Sequence, residues 1–173
     1  MKSVQEHMSF YEAYHKHPLN KLTHFIGIPM IVFSILVPLS WPAIPVAGYA
    51  VTAAMALIAV VLTYYTLLDR AFGIAMALVL IPLLFAAHQV GQAPYLTGGL
   101  VFVGFFVVGW IIQIIGHVVF EKRRPALVDN LFQMVIGPLF LCAELFFMLG
   151  FKQELHQEVV QLSRRFTLDQ HAA

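Results

Sequence analysis

Gln113-Ile-Ile-Gly116-His117-Val-Val-Phe120-Glu121-Lys122-Arg123-Arg124-Pro125-Ala-Leu-Val-Asp129-Asn130 ends a long uncharged run with an imidazole, two carboxylates, three cations and two amides. A helix up to Pro125 would place Gln113, His117 and Glu121 at i, i+4 and i+8 on one face, with Arg124 a turn further on. At membrane depth such a stripe costs free energy unless it is paired, hydrated or bound to something. It therefore carries a functional presumption that the same residues on a water-soluble helix would lack.

Working outward, the composition points to a membrane. Of the 173 residues, 60% are hydrophobic and 11% charged, against about 25% charged in a typical soluble domain, and the mean hydropathy is +0.82. Residues 22–68 and 71–120 contain no Asp, Glu, Lys or Arg. A crossing helix needs roughly 20 apolar residues, so each run holds two spans and a turn. We expect an all-α polytopic membrane helix bundle forming one domain over 1–173. Its spans run from about 21 to 40, 44 to 68, 71 to 89 and 98 to 120.

Trp41-Pro42 and Pro45 mark the first turn, Asp69-Arg70 a tight return, and Gly91 to Pro94 the third turn. Residues 130–151 are apolar, but Gly137-Pro138 interrupts them and Glu144 stands well inside, which favours a broken or re-entrant fifth segment over a full crossing. Val4 to Tyr14 has near-helical apolar spacing and reads as an interfacial helix lying on the membrane, as does the polar stretch 152–166. Pro18 and Asn20 read as the stop and N-cap that put His15 and His17 in a turn and His24 in the first turn of span 1.

Basic residues in short loops favour the cytoplasmic side. With the N-terminus cytoplasmic, Lys2, Lys16, Lys21, Arg70, Lys122, Arg123 and Arg124 all fall inside, and the turns near 41–45 and 90–97 carry no Lys or Arg. This predicts a bacterial inner-membrane protein, or an endoplasmic-reticulum one if the chain is eukaryotic. The first twenty residues do not resemble a cleaved signal peptide, and a formal net charge of +1 argues against a nucleic-acid partner.

This topology brings His24 and His117 to similar depth near one face, with His15 and His17 just outside and Glu121 beyond His117. His88 falls at the opposite end. Imidazoles with a carboxylate suit iron(II), zinc or copper. Simpler readings exist for each residue: a basic anchor for anionic headgroups at 121–124, a helix stop and start at Pro125 and Asp129, belt aromatics at Tyr11, Tyr14 and Trp110. Singly they suffice; together they leave the gathering of polar groups on one face unexplained.

Two patterns resemble the Mpo1-like family, formerly a domain of unknown function. They are Phe10-Tyr11-x-x-Tyr14-His15-x-x-Pro18-x-Asn20-x-x-x-His24-x-x-Gly27-x-Pro29 and Trp110-x-x-Gln113-x-x-Gly116-His117-x-x-Phe120-Glu121-Lys-Arg-Arg-Pro125-Ala126-Leu127-x-Asp129-Asn130. The resemblance implies an iron(II)-dependent dioxygenase that shortens 2-hydroxy fatty acids by one carbon. It implies His15, His24 and His117 as the Fe(2+)-binding histidines, and Glu121, Arg123, Arg124 and Asp129 as catalytic candidates. Gln113, Arg123, Arg124 and Asn130 are the candidate substrate contacts. The expected partners are the lipid bilayer, a 2-hydroxy fatty acid and O2. The acid would chelate the metal through carboxylate and hydroxyl, with Arg123 or Arg124 neutralising the carboxylate. A lipid-binding or scaffold protein and a histidine-ligated haem protein are the alternative classes.

Overall fold

A computed structural model describes residues 3–122 and 130–169, with side chains as far as Arg165. The described chain is mostly helical. Its order is α1 (Val4–Glu12), α2 (Pro18–Leu39), β1 (Ala43–Val46), β2 (Tyr49–Thr52), α3 (Ala53–Leu68), α4 (Arg70–Gly91), α5 (Tyr95–Ile115), a π-helical turn (Gly116–Glu121), α6 (Gln133–Met148) and α7 (Gln153–Asp169). Three stretches are long and apolar enough to cross a membrane: Pro18–Leu39, Arg70–Gly91 and Tyr95–Glu121. The apolar helices α3 and α6 have 16 residues each. At a rise of 1.5 Å per residue each reaches about 24 Å, short of a hydrocarbon core of about 30 Å.

The chain forms two compact units, 26–112 and 1–25 with 113–173. Within 26–112, α3 packs along α4. Asp69 alone separates them, and its carboxylate accepts the Ala71 and Phe72 N–H groups at 3.0 and 3.1 Å. This is the tight return expected of Asp69-Arg70. Trp41 and Tyr95 meet edge to face with ring centroids 5.3 Å apart, so the turns that carry them lie at one end of this unit. Gly109 backs directly onto α2, where a Cβ would stand 3.0 Å from the Gly27 carbonyl oxygen, the close approach that small residues allow between apolar helices.

The expected span over 44–68 begins later than predicted. Ala43–Val46 pairs antiparallel with Tyr49–Thr52, from Ala43 opposite Thr52 to Val46 opposite Tyr49. The loop residues Ala47 and Gly48 have φ of 49° and 85°, the double positive φ of a type I′ hairpin, whose twist matches that of its strands. Pro45 is tolerated because a two-stranded ribbon has edge strands only. The Thr52 hydroxyl then accepts the Met55 N–H at 3.2 Å and starts α3.

In the unit that carries both termini, α1 opens with a capping box in which Ser3 and Glu6 satisfy each other's backbone N–H groups. α1 packs on α6 and α7, and Met8, Tyr11 and Tyr14 are buried. The expected break at Gly137-Pro138 is absent. α6 runs unbroken, with Pro138 in its second turn, where the ring costs one backbone hydrogen bond. α6 ends after Met148 in a Schellman motif. Gly150, at φ 85°, donates to Phe147 and Phe151 donates to Phe146, and the Phe146 and Phe151 rings pack 5.9 Å apart.

Glu144, the carboxylate inside this apolar stretch, meets Lys21 at 3.0 Å, and Lys21 also meets Glu12 at 2.9 Å. The lysine thereby ties α1, α2 and α6 together around a charge group that would be costly without its partner.

Candidate metal centre

His15 lies in the turn after α1, His24 in the second turn of α2, and His117 in the π-helical turn after α5. The helix α2 starts at Pro18, two residues before the expected N-cap at Asn20. Proline suits the first helical position because the N–H it lacks would have no intrahelical partner, and His17 Nδ1 accepts the Leu19 N–H at 3.2 Å. The π turn also alters the expected alignment of Gln113, His117 and Glu121 on one helical face, since a wider turn re-aims the side chains that follow it.

All three imidazoles are buried, at 1%, 2% and 2% exposure, and they offer nitrogens that lie within 4.8 Å of one another. His15 Nδ1 is 2.7 Å from the Tyr11 carbonyl oxygen, and His24 Nδ1 is 2.9 Å from that of Asn20. A carbonyl can only accept, so each Nδ1 carries the proton and each Nε2 is left with a lone pair. Those two Nε2 atoms face each other at 3.1 Å. With both rings neutral, neither can donate to the other. Two ligands on a metal–nitrogen bond of about 2.0–2.1 Å stand roughly 2.9–3.4 Å apart at ordinary ligand angles.

His117 Nδ1 is a buried atom with no hydrogen-bond partner. Burial, reinforced by the nearby His24 and His117, holds the His15 pKa well below the usual histidine value and keeps the ring in its ligating neutral form. The donor set, the facing lone pairs and the orphaned nitrogen all fit a metal ion. The Tyr11 ring stacks on His15 at 4.0 Å and Phe140 packs on Tyr11 at 4.4 Å, which sets aromatic surface against the cluster.

Glu121 is placed away from a ligand position, at the start of α2. Its Oε1 accepts the His17 N–H at 2.6 Å and an N–H of the Asn20 amide at 3.2 Å. Gln113 is buried. The Asn130 side chain accepts the Phe132 N–H at 3.0 Å and leads into α6. Arg123, Arg124 and Asp129 lie outside the described residues. His17 stacks on Phe120 at 5.4 Å, and His88 sits in the last turn of α4, outside the histidine cluster.

The sequence reading did not single out the carbonyls of Tyr11 and Asn20. Their signal is a spacing: each stands four residues before the histidine it orients.

Gly116 precedes His117 and faces the Asn20 and Thr23 side-chain oxygens so closely that a Cβ could be placed only if they moved. Gly116→Ala is expected to destabilise the folded chain by about 1–3 kcal/mol through overpacking. Unfolding of the detergent-solubilised protein measures this. Wild-type stability would mean that the π turn can move off α2 without cost.

A helical chain with membrane-length apolar segments and a buried three-histidine cluster has the make-up of a membrane protein with a candidate metal centre. Over residues 1–149 it matches the family model described as 2-hydroxy-palmitic acid dioxygenase Mpo1-like, and the chain belongs to this Mpo1-like family. It is 37% identical, over 88% of its own length and 84% of the relative's, to the 2-hydroxy-palmitic acid dioxygenase MPO1 of Saccharomyces cerevisiae. No solved structure matches the chain.

Proposed function

We propose that this protein is an iron(II)-dependent dioxygenase of 2-hydroxy fatty acids that shortens its substrate by one carbon at the membrane interface. The observation that carries the reading is the pair of Nε2 lone pairs 3.1 Å apart, beside His117, in a chain related to a dioxygenase. His15, His24 and His117 would hold the metal. When bound, iron(II) supplies the Lewis acidity and redox chemistry through which O2 and the 2-hydroxy acid react.

The remaining roles belong to the chain itself. The Tyr11 and Asn20 carbonyls hold two of the imidazoles in the ligating tautomer. Arg123 or Arg124, a few residues after the His117 turn, neutralises the substrate carboxylate. Gln113 and Asn130 contribute polar contacts, and Glu121 and Asp129 complete the catalytic set. The acyl tail remains in an apolar medium, where each methylene is worth about 0.8 kcal/mol.

Metal analysis of anaerobically purified protein, followed by product analysis with a 2-hydroxy fatty acid and O2, tests the assignment. Stoichiometric iron and the shortened acid are expected. Protein that takes up no iron and releases no product would overturn it.

We further place 1–173 in the membrane as one domain with four spans and a cytoplasmic N-terminus, in a bacterial inner membrane or, for a eukaryotic chain, the endoplasmic reticulum. The segment 130–151 is taken not to cross fully. Supporting this, α1 packs on α7, which keeps the two terminal helices together. Reporter fusions after residues 128 and 173 should both read cytoplasmic. A C-terminal reporter on the far side would make α6 a true span.

A further inference from the structure

Asn20 touches both halves of the centre. Its backbone carbonyl accepts from His24 Nδ1 at 2.9 Å, and its side-chain amide donates to Glu121 Oε1 at 3.2 Å. Glu121 is the last residue of the π turn that carries His117, and Gly116 at the start of that turn lies against the Asn20 and Thr23 oxygens. The turn is therefore held at both ends by the first residues of the helix that presents His24. Asn20 itself is fully buried at 0% exposure. A carboxylate can only accept, so the amide nitrogen must be the atom that faces Glu121.

We propose that Asn20 is a positioning residue of the metal centre, which keeps His24 and His117 in register by latching the π turn to α2 through Glu121. The proposal rests on the metal reading of the three histidines. It gives a specific task to a residue that neither ligates nor reaches substrate.

The side chain can be changed while the His24-orienting carbonyl stays in place. Asn20→Asp preserves shape and the acceptor next to Thr23, but removes the donor and sets a second carboxylate against Glu121. Glu121→Gln alone keeps an oxygen that can accept both the His17 N–H and the Asn20 amide, so it removes the charge without removing the latch and is the conservative control. Cobalt(II) is titrated anaerobically into chelator-stripped full-length protein in detergent and read by its visible absorption, so the readout is independent of turnover. Loss of a group that orients a metal ligand costs roughly 10–100-fold in metal affinity, and that loss is expected for Asn20→Asp, with affinity close to wild type in Glu121→Gln.

Asn20→Ala removes the donor without adding charge and replaces the aspartate variant if that one does not fold. It should weaken cobalt(II) binding in the same direction. Wild-type affinity in Asn20→Asp, or an equal loss in Glu121→Gln, would overturn the latch while leaving the three-histidine centre intact. Wild-type protein that takes up no cobalt(II) would overturn the metal reading, and the latch with it.

Discussion

Iron-loaded protein is expected to consume O2 with 2-hydroxypalmitate and release the acid one carbon shorter, and to do neither with palmitate. The two acids bury the same tail, so a protein that merely holds fatty acids would separate them weakly. They differ at the 2-hydroxyl, the group that with the carboxylate makes the acid a chelate and provides the oxidisable carbon next to it. A site built around a substrate hydroxyl rejects the analogue that lacks it by roughly 10⁴-fold or more, because the missing contact is felt where the reaction occurs. Equal O2 uptake with both acids, or none with either at confirmed iron occupancy, would sink the dioxygenase assignment in favour of a lipid-binding one.

Replacing a histidine of the cluster should have an effect of similar size. His24→Ala and His117→Ala each remove one of three closely set donors, and losing a ligand should cost more than the 10–100-fold that follows loss of a group behind one. Iron and turnover should both disappear, while the protein stays monodisperse in detergent. His88→Ala is the control, since His88 lies on α4 outside the cluster, and iron and activity should survive it. Selective loss of iron in His88→Ala with the fold intact would show that the three clustered histidines are the wrong set.

Hydropathy alone located the apolar helices, because burying a segment in lipid demands length and apolarity and both are written locally. It placed Pro18–Leu39, Arg70–Gly91 and Tyr95–Glu121 to within a few residues, and the charged pair Asp69-Arg70 marked the return between α3 and α4. The same signal misread 44–52, since Ile44, Val46 and Val51 are as apolar as a span, and the paired positive φ values of Ala47 and Gly48 belong to hairpin geometry. It also overrated Pro138, which an apolar helix absorbs in its second turn.

The meeting of His24 and His117 was legible from the up-and-down order of the helices, and the motif resemblance added His15 to them. The chemistry of the centre was not. Which nitrogen of each ring faces inward depends on the carbonyls of Tyr11 and Asn20, and the turn bearing His117 is held to α2 by Glu121, about a hundred residues from Asn20 in sequence. Glu144, anomalous in its own segment, is explained by Lys21 on a distant helix. Segment length and apolarity are local properties that a sequence states outright, whereas a tautomer, an ion pair and a ligand geometry depend on partners brought close only when the chain has folded.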